Sequence, residues 1–264
     1  MQFVSVDGVV LHARRSGDGG AVPLLLVHAL GTDLRLWGRL LGYLGDGFNA
    51  IRYDQRGHGL SGIGQPPYTI DQLARDLAGL MDRLDTGPAL VCGVSIGGQV
   101  ALGLSAARPD LVRGLVLMDT AAQIGSPDLW QERIAVVEHD GVEGLATATM
   151  QRWFPPSFHD RHPADVEGMR AMLTRTPVSG YLGACAALAE ADLRAAAAAV
   201  QVPTLCLVGE HDGSTTPAVV QALAETIPGA GFTVIAEAGH LPCIDQPAAV
   251  AAAVLGFVEA NGLA

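Results

Sequence analysis

Val91-Cys92-Gly93-Val94-Ser95-Ile96-Gly97-Gly98 is the stretch on which the reading of this chain turns. The apolar run Pro88–Cys92 before it reads as a buried strand, and Gln99–Ala107 after it reads as a helix. Between them Gly93-Val94-Ser95-Ile96-Gly97 fits G-x-S-x-G, in which a serine sits on a sharp strand-to-helix turn. Side chains at Gly93 and Gly97 would collide with the neighbouring strand and helix. The turn lifts the Ser95 hydroxyl clear of the sheet, at the positive end of a helix. From there it can attack a carbonyl, with the backbone N–H of Ile96 facing the resulting oxyanion. In a chain with 33 glycines the five-residue pattern alone is moderately specific. The strand before it and the helix after it give it weight.

Around this stretch, strands and helices alternate. Phe3–Val6 and Val9–Arg14 read as strands joined at Asp7-Gly8, a hairpin signal. Ser16 to Ala21 reads as a glycine-rich loop, Pro23–Val27 as a buried strand, and Phe48–Tyr53 as another. The spacing of Leu34, Trp37, Leu40, Leu41 and Leu44 predicts an amphipathic helix, and Ile70–Leu84 a second one capped by Thr69. A strand over Gly114–Asp119 follows the central helix. From Thr120 to about Val200 no strand is evident; the segment reads as an inserted helical cap, with a Pro/His-rich link from Pro155 to Pro163. The alanine run 195–199 reads as an ordinary helix end. Alternation resumes with a strand at Thr204–Val208, a helix from Pro217, a strand at Phe232–Ala236 and a helix from Pro247 to Val258. The expectation is an α/β protein with a mostly parallel eight-stranded sheet, its core formed by residues 1–119 and 201–264 and its cap by 120–200.

Composition narrows the function. Half the residues are hydrophobic (49%) and few are charged (16%), which argues against disorder. A formal charge of −11 argues against nucleic acid and anionic membrane surfaces as partners. Cys92, Cys185, Cys206 and Cys243 show no C-x-x-C spacing; Cys92 and Cys206 read as reduced core residues, and Cys243, three residues after His240, reads as a buried residue with a site-lining position as the alternative. The N-terminal residues lack signal-peptide character and no stretch approaches 18 apolar residues, so a cytoplasmic protein is expected. The histidines show no metal-ligand spacing, and no dinucleotide or Walker motif is present, so no metal or cofactor is implied.

A serine hydroxyl needs a base, and the base needs an orienting acid. Functional residues of parallel sheets sit just past the carboxyl ends of strands. Thr204–Val208 runs into Gly209-Glu210-His211-Asp212, and Phe232–Ala236 runs into Glu237-Ala238-Gly239-His240. Asp212 is assigned as acid and His240 as base; Asp119 and Glu210 are the other carboxylates at strand ends. The second oxyanion donor belongs to the loop His28-Ala29-Leu30-Gly31, where the N–H of Leu30 is nominated beside that of Ile96. His28 reads as structural, and the charged groups of Asp54–Gly59 as braces of a turn.

With these residues in place the whole chain resembles the α/β-hydrolase superfamily, and most closely its 3-oxoadipate enol-lactonase branch. The resemblance is carried by His28–Trp37, Arg52–Gly59 and Cys92–Gly98. In the cap it is carried by Asp119–Gly125, Arg152-Trp153-Phe154, Gly180-Tyr181 and Cys185–Leu188. The chain departs from the family's usual Asn at Asp119 and its frequent Met at Ile96; the first adds negative charge near the site. The resemblance implies that Ser95, with His240 as base, opens a lactone to an acyl-enzyme that water then hydrolyses, releasing 3-oxoadipate. Such a substrate carries a free carboxylate, which arginine suits as a two-pronged donor. Arg133 and Arg152 are the candidates, with Trp130 and Trp153 as pocket walls. The alternatives are an esterase or lactonase for another small ester, and a non-catalytic ligand receptor. The second sits poorly with a complete Ser–Asp–His set. Serine at the elbow, where a dehalogenase would carry aspartate, disfavours dehalogenation.

Overall fold

The computed structural model describes residues 1–17 and 22–263. Of the loop expected over Ser16–Ala21, the part from Asp18 lies outside the described residues. Among the described residues eight strands form one sheet: β1 (Gln2–Val6), β2 (Val9–Ser16), β3 (Val22–Val27), β4 (Phe48–Tyr53), β5 (Ala89–Val94), β6 (Val112–Met118), β7 (Thr204–Gly209) and β8 (Gly231–Ile235). Their order is β1-β2-β4-β3-β5-β6-β7-β8. The hairpin β1–β2 and its pairing to β4 are antiparallel; every later pair is parallel. Asp7 and Gly8 both take positive φ, as a two-residue hairpin requires.

The expected helices form, with instructive differences at their ends. They are α1 (Gly38–Leu44), α2 (Ile70–Leu84), α3 (Ile96–Ala107), α4 (Pro127–Asp140), α5 (Ala146–Trp153), α6 (Pro156–Arg161), α7 (Pro163–Thr174), α8 (Val178–Glu190), α9 (Arg194–Ala198), α10 (Pro217–Thr226), α11 (Pro242–Asp245) and α12 (Pro247–Ala260). Thr69 Oγ1 accepts the Gln72 N–H at 3.1 Å and starts α2 where expected. The first amphipathic helix instead opens as a 3₁₀ turn over Leu34–Trp37, because Asp33 caps it at Arg35 and turns the chain tightly. The Pro155–Pro163 link is not a loop: Pro156 and Pro163 each start a helix, the position where a missing N–H costs nothing. The alanine run is a short helix of its own, α9, and not the end of a longer one.

Every residue of β4, β5 and β7 is buried, as in a parallel sheet covered on both faces. Helices pack in pairs, α2 with α3 and α1 with α12. Helices α4 to α9 all lie between β6 and β7, and α4 packs along α8. This segment is fastened to the core at Gly57 and Gly180, which touch so closely that a Cβ on Gly180 would overlap the Gly57 backbone. Tyr68 donates its N–H to Gly183 O at 3.2 Å beside that crossing. Strand order reverses between β3 and β5, which opens a crevice beyond their carboxyl ends.

Candidate active site

Ser95 stands between β5 and α3 with φ 58° and ψ −123°. A positive φ is uncommon for a residue with a side chain, so the surroundings must enforce it. They do: Ser95 N–H donates to Met118 O at 3.0 Å, and Ser95 O accepts the Thr120 hydroxyl at 2.7 Å. A Cβ on Gly93 would strike Gly97 O, and one on Gly97 would strike Val27 O. Ile96 is the first residue of α3, so its N–H has no acceptor within the helix and is available to an oxyanion.

Asp212 and His240 meet from the ends of β7 and β8. His240 Nδ1 lies 2.8 Å from Asp212 Oδ2, and both residues are buried. Asp212 also accepts the N–H groups of Ser214 and Thr215 on Oδ1, at 2.7 and 3.1 Å, and the Thr215 hydroxyl on Oδ2 at 2.6 Å. Burial works to raise its pKa, but the His240 charge and these hydrogen bonds outweigh it and bring the carboxyl down to about 2. An ionised carboxylate only accepts, so the proton of this contact sits on Nδ1 and leaves Nε2 to serve a hydroxyl. The turn bearing His240 is held in place by the helical segment: His240 N–H donates to Trp153 O at 2.9 Å.

Ser95, His240, Ala29 and Leu30 line one cavity of about 380 Å³. Leu30 is kept there by two buried histidines. His58 Nε2 accepts the Gly31 N–H at 3.1 Å while its Nδ1 faces Arg56 O at 3.1 Å. His28 Nε2 accepts the Gln55 N–H at 2.9 Å while its Nδ1 faces Ala29 O at 2.8 Å. An imidazole that accepts on one nitrogen and donates on the other is neutral. Burial accordingly lowers the pKa of both, that of His58 to about 3. Asp54 braces the same region, taking the N–H groups of Leu34 and Leu60 at 2.8 Å each and His12 at 2.8 Å.

A serine that shares a cavity with a carboxylate-held imidazole supplies the parts that acyl transfer needs. Residues 24–253 match the model of the alpha/beta hydrolase family. The chain belongs to the alpha/beta hydrolase family. The 3-oxoadipate enol-lactonase 2 of Acinetobacter baylyi is 35% identical over 93% of this chain and 92% of its own length. The solved enol-lactonase of Burkholderia xenovorans LB400 is 36% identical with a TM-score of 0.95, covering 98% of this chain and 100% of its own. A thermophilic esterase from Thermogutta terrifontis, solved with malate bound, is 34% identical with a TM-score of 0.92, covering 98% and 99%. These relatives are enol-lactonases and esterases, and this hydrolase is an enzyme of the carboxylic-ester class.

The remaining expected residues of this hydrolase also reach the cavity. Trp130, Arg133, Arg152 and Trp153 all line it, together with Tyr181 and the exposed Glu132. Arg133 stacks its guanidinium 5.2 Å from the Trp130 ring centre, and Arg152 donates to Thr149 Oγ1 at 3.2 Å. Arg152 is held below its ordinary pKa range by burial and then by the like charge of Arg133. Cys243 is fully buried and is not among the lining residues. Sequence reasoning gave no site role to His58, Tyr181 or Thr215, although the first lies in the bracing turn and the second in a stretch that carries the resemblance. For Thr215 a signal existed: Asp212-Gly213-Ser214-Thr215 is an aspartate that bonds the backbone two residues on.

Proposed function

We propose that this hydrolase opens a lactone bearing a free carboxylate, 3-oxoadipate enol-lactone being the substrate of choice, and yields 3-oxoadipate in the degradation of aromatic compounds. The observation that carries the reading is the pair Arg133 and Arg152 lining the same cavity as Ser95 and His240. Two cations in a largely apolar hollow favour an anionic group between them. The malate held by the Thermogutta terrifontis esterase is a dicarboxylate, which fits a site of this kind. We read 1–119 and 201–264 as the catalytic core and 120–200 as a cap that sets the substrate. The four free cysteines suit a cytoplasmic enzyme.

Ser95 attacks the ring carbonyl while His240 takes its proton, with Asp212 holding the imidazolium that forms. The N–H groups of Leu30 and Ile96 receive the oxyanion. As the C–O bond breaks, His240 returns the proton to the leaving enolate oxygen, and the resulting enol tautomerises to a ketone, which makes it an easy leaving group. Water activated by His240 then releases the acid from Ser95. Trp130 and Trp153 form the walls, and Arg133 and Arg152 anchor the carboxylate.

The test is ultraviolet loss of 3-oxoadipate enol-lactone with purified protein, beside Ser95→Ala. Loss that vanishes in the variant supports both substrate and nucleophile. An untouched lactone, with an aryl ester still cleaved through Ser95, keeps the serine mechanism and discards the substrate in favour of another small ester. Absence of turnover and of fluorophosphonate labelling would overturn the serine mechanism itself.

A further inference from the structure

Behind the His240–Asp212 pair lies a carboxyl that this reaction does not use. Asp119 follows β6, is fully buried, and takes a φ of 45°. Its N–H donates to Leu207 O, and its Oδ1 accepts the Gly209 N–H, both at 2.9 Å. Leu207 and Gly209 belong to β7, and Gly209 O in turn accepts the Asp212 N–H at 3.1 Å. Asp119 is thus tied to the turn that carries Asp212. Its Oδ2 is buried without a hydrogen-bond partner. One side-chain atom each of Asp119, Asp212 and His240 lie within 4.8 Å of one another.

Two carboxylates this close, away from water, do not both hold a charge without a large cost. Asp212 has the stronger claim: it faces the His240 ring, the Thr215 hydroxyl and two backbone N–H groups. Asp119 has the Gly209 N–H alone. The other titratable groups near it are the acid Asp245 and the buried thiol Cys243, neither of which favours a further anion. Burial first, and then the charge of Asp212, hold the Asp119 carboxyl well above the usual carboxylate range.

We propose that Asp119 is a positioning residue carrying its proton on Oδ2, a neutral acid that anchors the Asp212 turn through Gly209 and turns a donor toward the Asp212 carboxylate. The inference rests on the reading of Ser95, His240 and Asp212 as the reacting set. In this arrangement the imidazolium formed at His240 meets one fixed negative charge, and the unpartnered Oδ2 acquires a role.

Infrared difference spectra and kinetics of Asp119→Asn and Asp119→Ala test it. At neutral pH the wild type should show a protonated-carboxyl C=O band that Asp119→Asn lacks. Asp245→Asn identifies any contribution from Asp245, whose pKa burial pushes up to about 7. On an aryl ester, Asp119→Ala should lose about tenfold in kcat with KM little changed, and Asp119→Asn should recover to within about threefold of wild type. An unchanged band in Asp119→Asn overturns the proposal. So does an Asp119→Asn loss as deep as that of Asp212→Asn, or full kcat in Asp119→Ala. Should Asp119→Ala not fold, the infrared comparison on Asp119→Asn decides alone. Turnover that survives Ser95→Ala would sink the role of Ser95 as nucleophile separately, because the band reports the proton whether or not Ser95 reacts.

Discussion

Replacing His58 by Gln should change how stability depends on pH by a calculable amount. His58 is 2% exposed, and its pKa in the fold is about 3 against 6.5 for a free imidazole. A folded value below the unfolded one means that the unfolded chain takes up the proton first as pH falls. Stability from this source is complete above the unfolded value and is lost as pH drops from about 6.5 toward about 3. Between pH 7 and pH 5 the loss comes to about 2 kcal/mol. The wild-type curve alone does not isolate it. Asp245, with a pKa raised to about 7, gains stability over the same interval, and buried Asp119 adds in that direction. Asp212, lowered to about 2, loses its contribution only as pH falls from its ordinary value of 3.8 toward about 2, outside this interval. His58→Gln keeps an acceptor for the Gly31 N–H and cannot titrate, so the other groups cancel in the comparison. Equilibrium urea unfolding of both proteins at pH 7, 6 and 5 should show the advantage of wild type shrinking by about 2 kcal/mol. A difference that stays constant across the three pH values would refute the claim that a neutral, buried imidazole holds the loop of Leu30.

Asp212→Asn should lower kcat roughly ten-thousandfold, since the amide favours the wrong tautomer of His240; turnover within tenfold of wild type would move the acid elsewhere. Arg152→Ala should raise KM for the carboxylated lactone by about a hundredfold while leaving a neutral ester nearly unaffected, and equal losses on both would remove the arginine from recognition. Gly180→Ala should destabilise by about 3 kcal/mol or prevent folding, because its methyl meets the Gly57 backbone, and unchanged urea unfolding would contradict that contact.

Much of this was legible because it depends on local pattern. The apolar runs of β3, β5 and β7 announce buried parallel strands, and the residues that follow them carry the groups proposed to react. Helix starts at Thr69 and Pro217 follow from capping chemistry alone. What escaped depends on contacts distant in sequence. Nothing near His58 signals that its ring accepts the N–H of Gly31, 27 residues earlier. The strand end places Asp119 near the site, but nothing in Gly114–Asp119 signals that one of its carboxyl oxygens stays buried and unpartnered beside Asp212, which comes far later in the chain. The Pro155–Pro163 segment misled for a different reason. Proline marks helix starts as well as loops, and only the packing of the helices between β6 and β7 decides which.

The carbonyl of Trp153 that receives the His240 N–H bears on how such enzymes change over generations. A backbone oxygen survives any substitution at its own position. Trp130, Arg133 and Arg152 can therefore be exchanged one at a time, and a new specificity explored, while the histidine keeps its support. A single-residue insertion or deletion in α5 is another matter, because it rotates the helix end and carries the oxygen away. Laboratory lineages selected for new esters should consequently accumulate replacements in α4 and α5 and keep the number of residues there fixed.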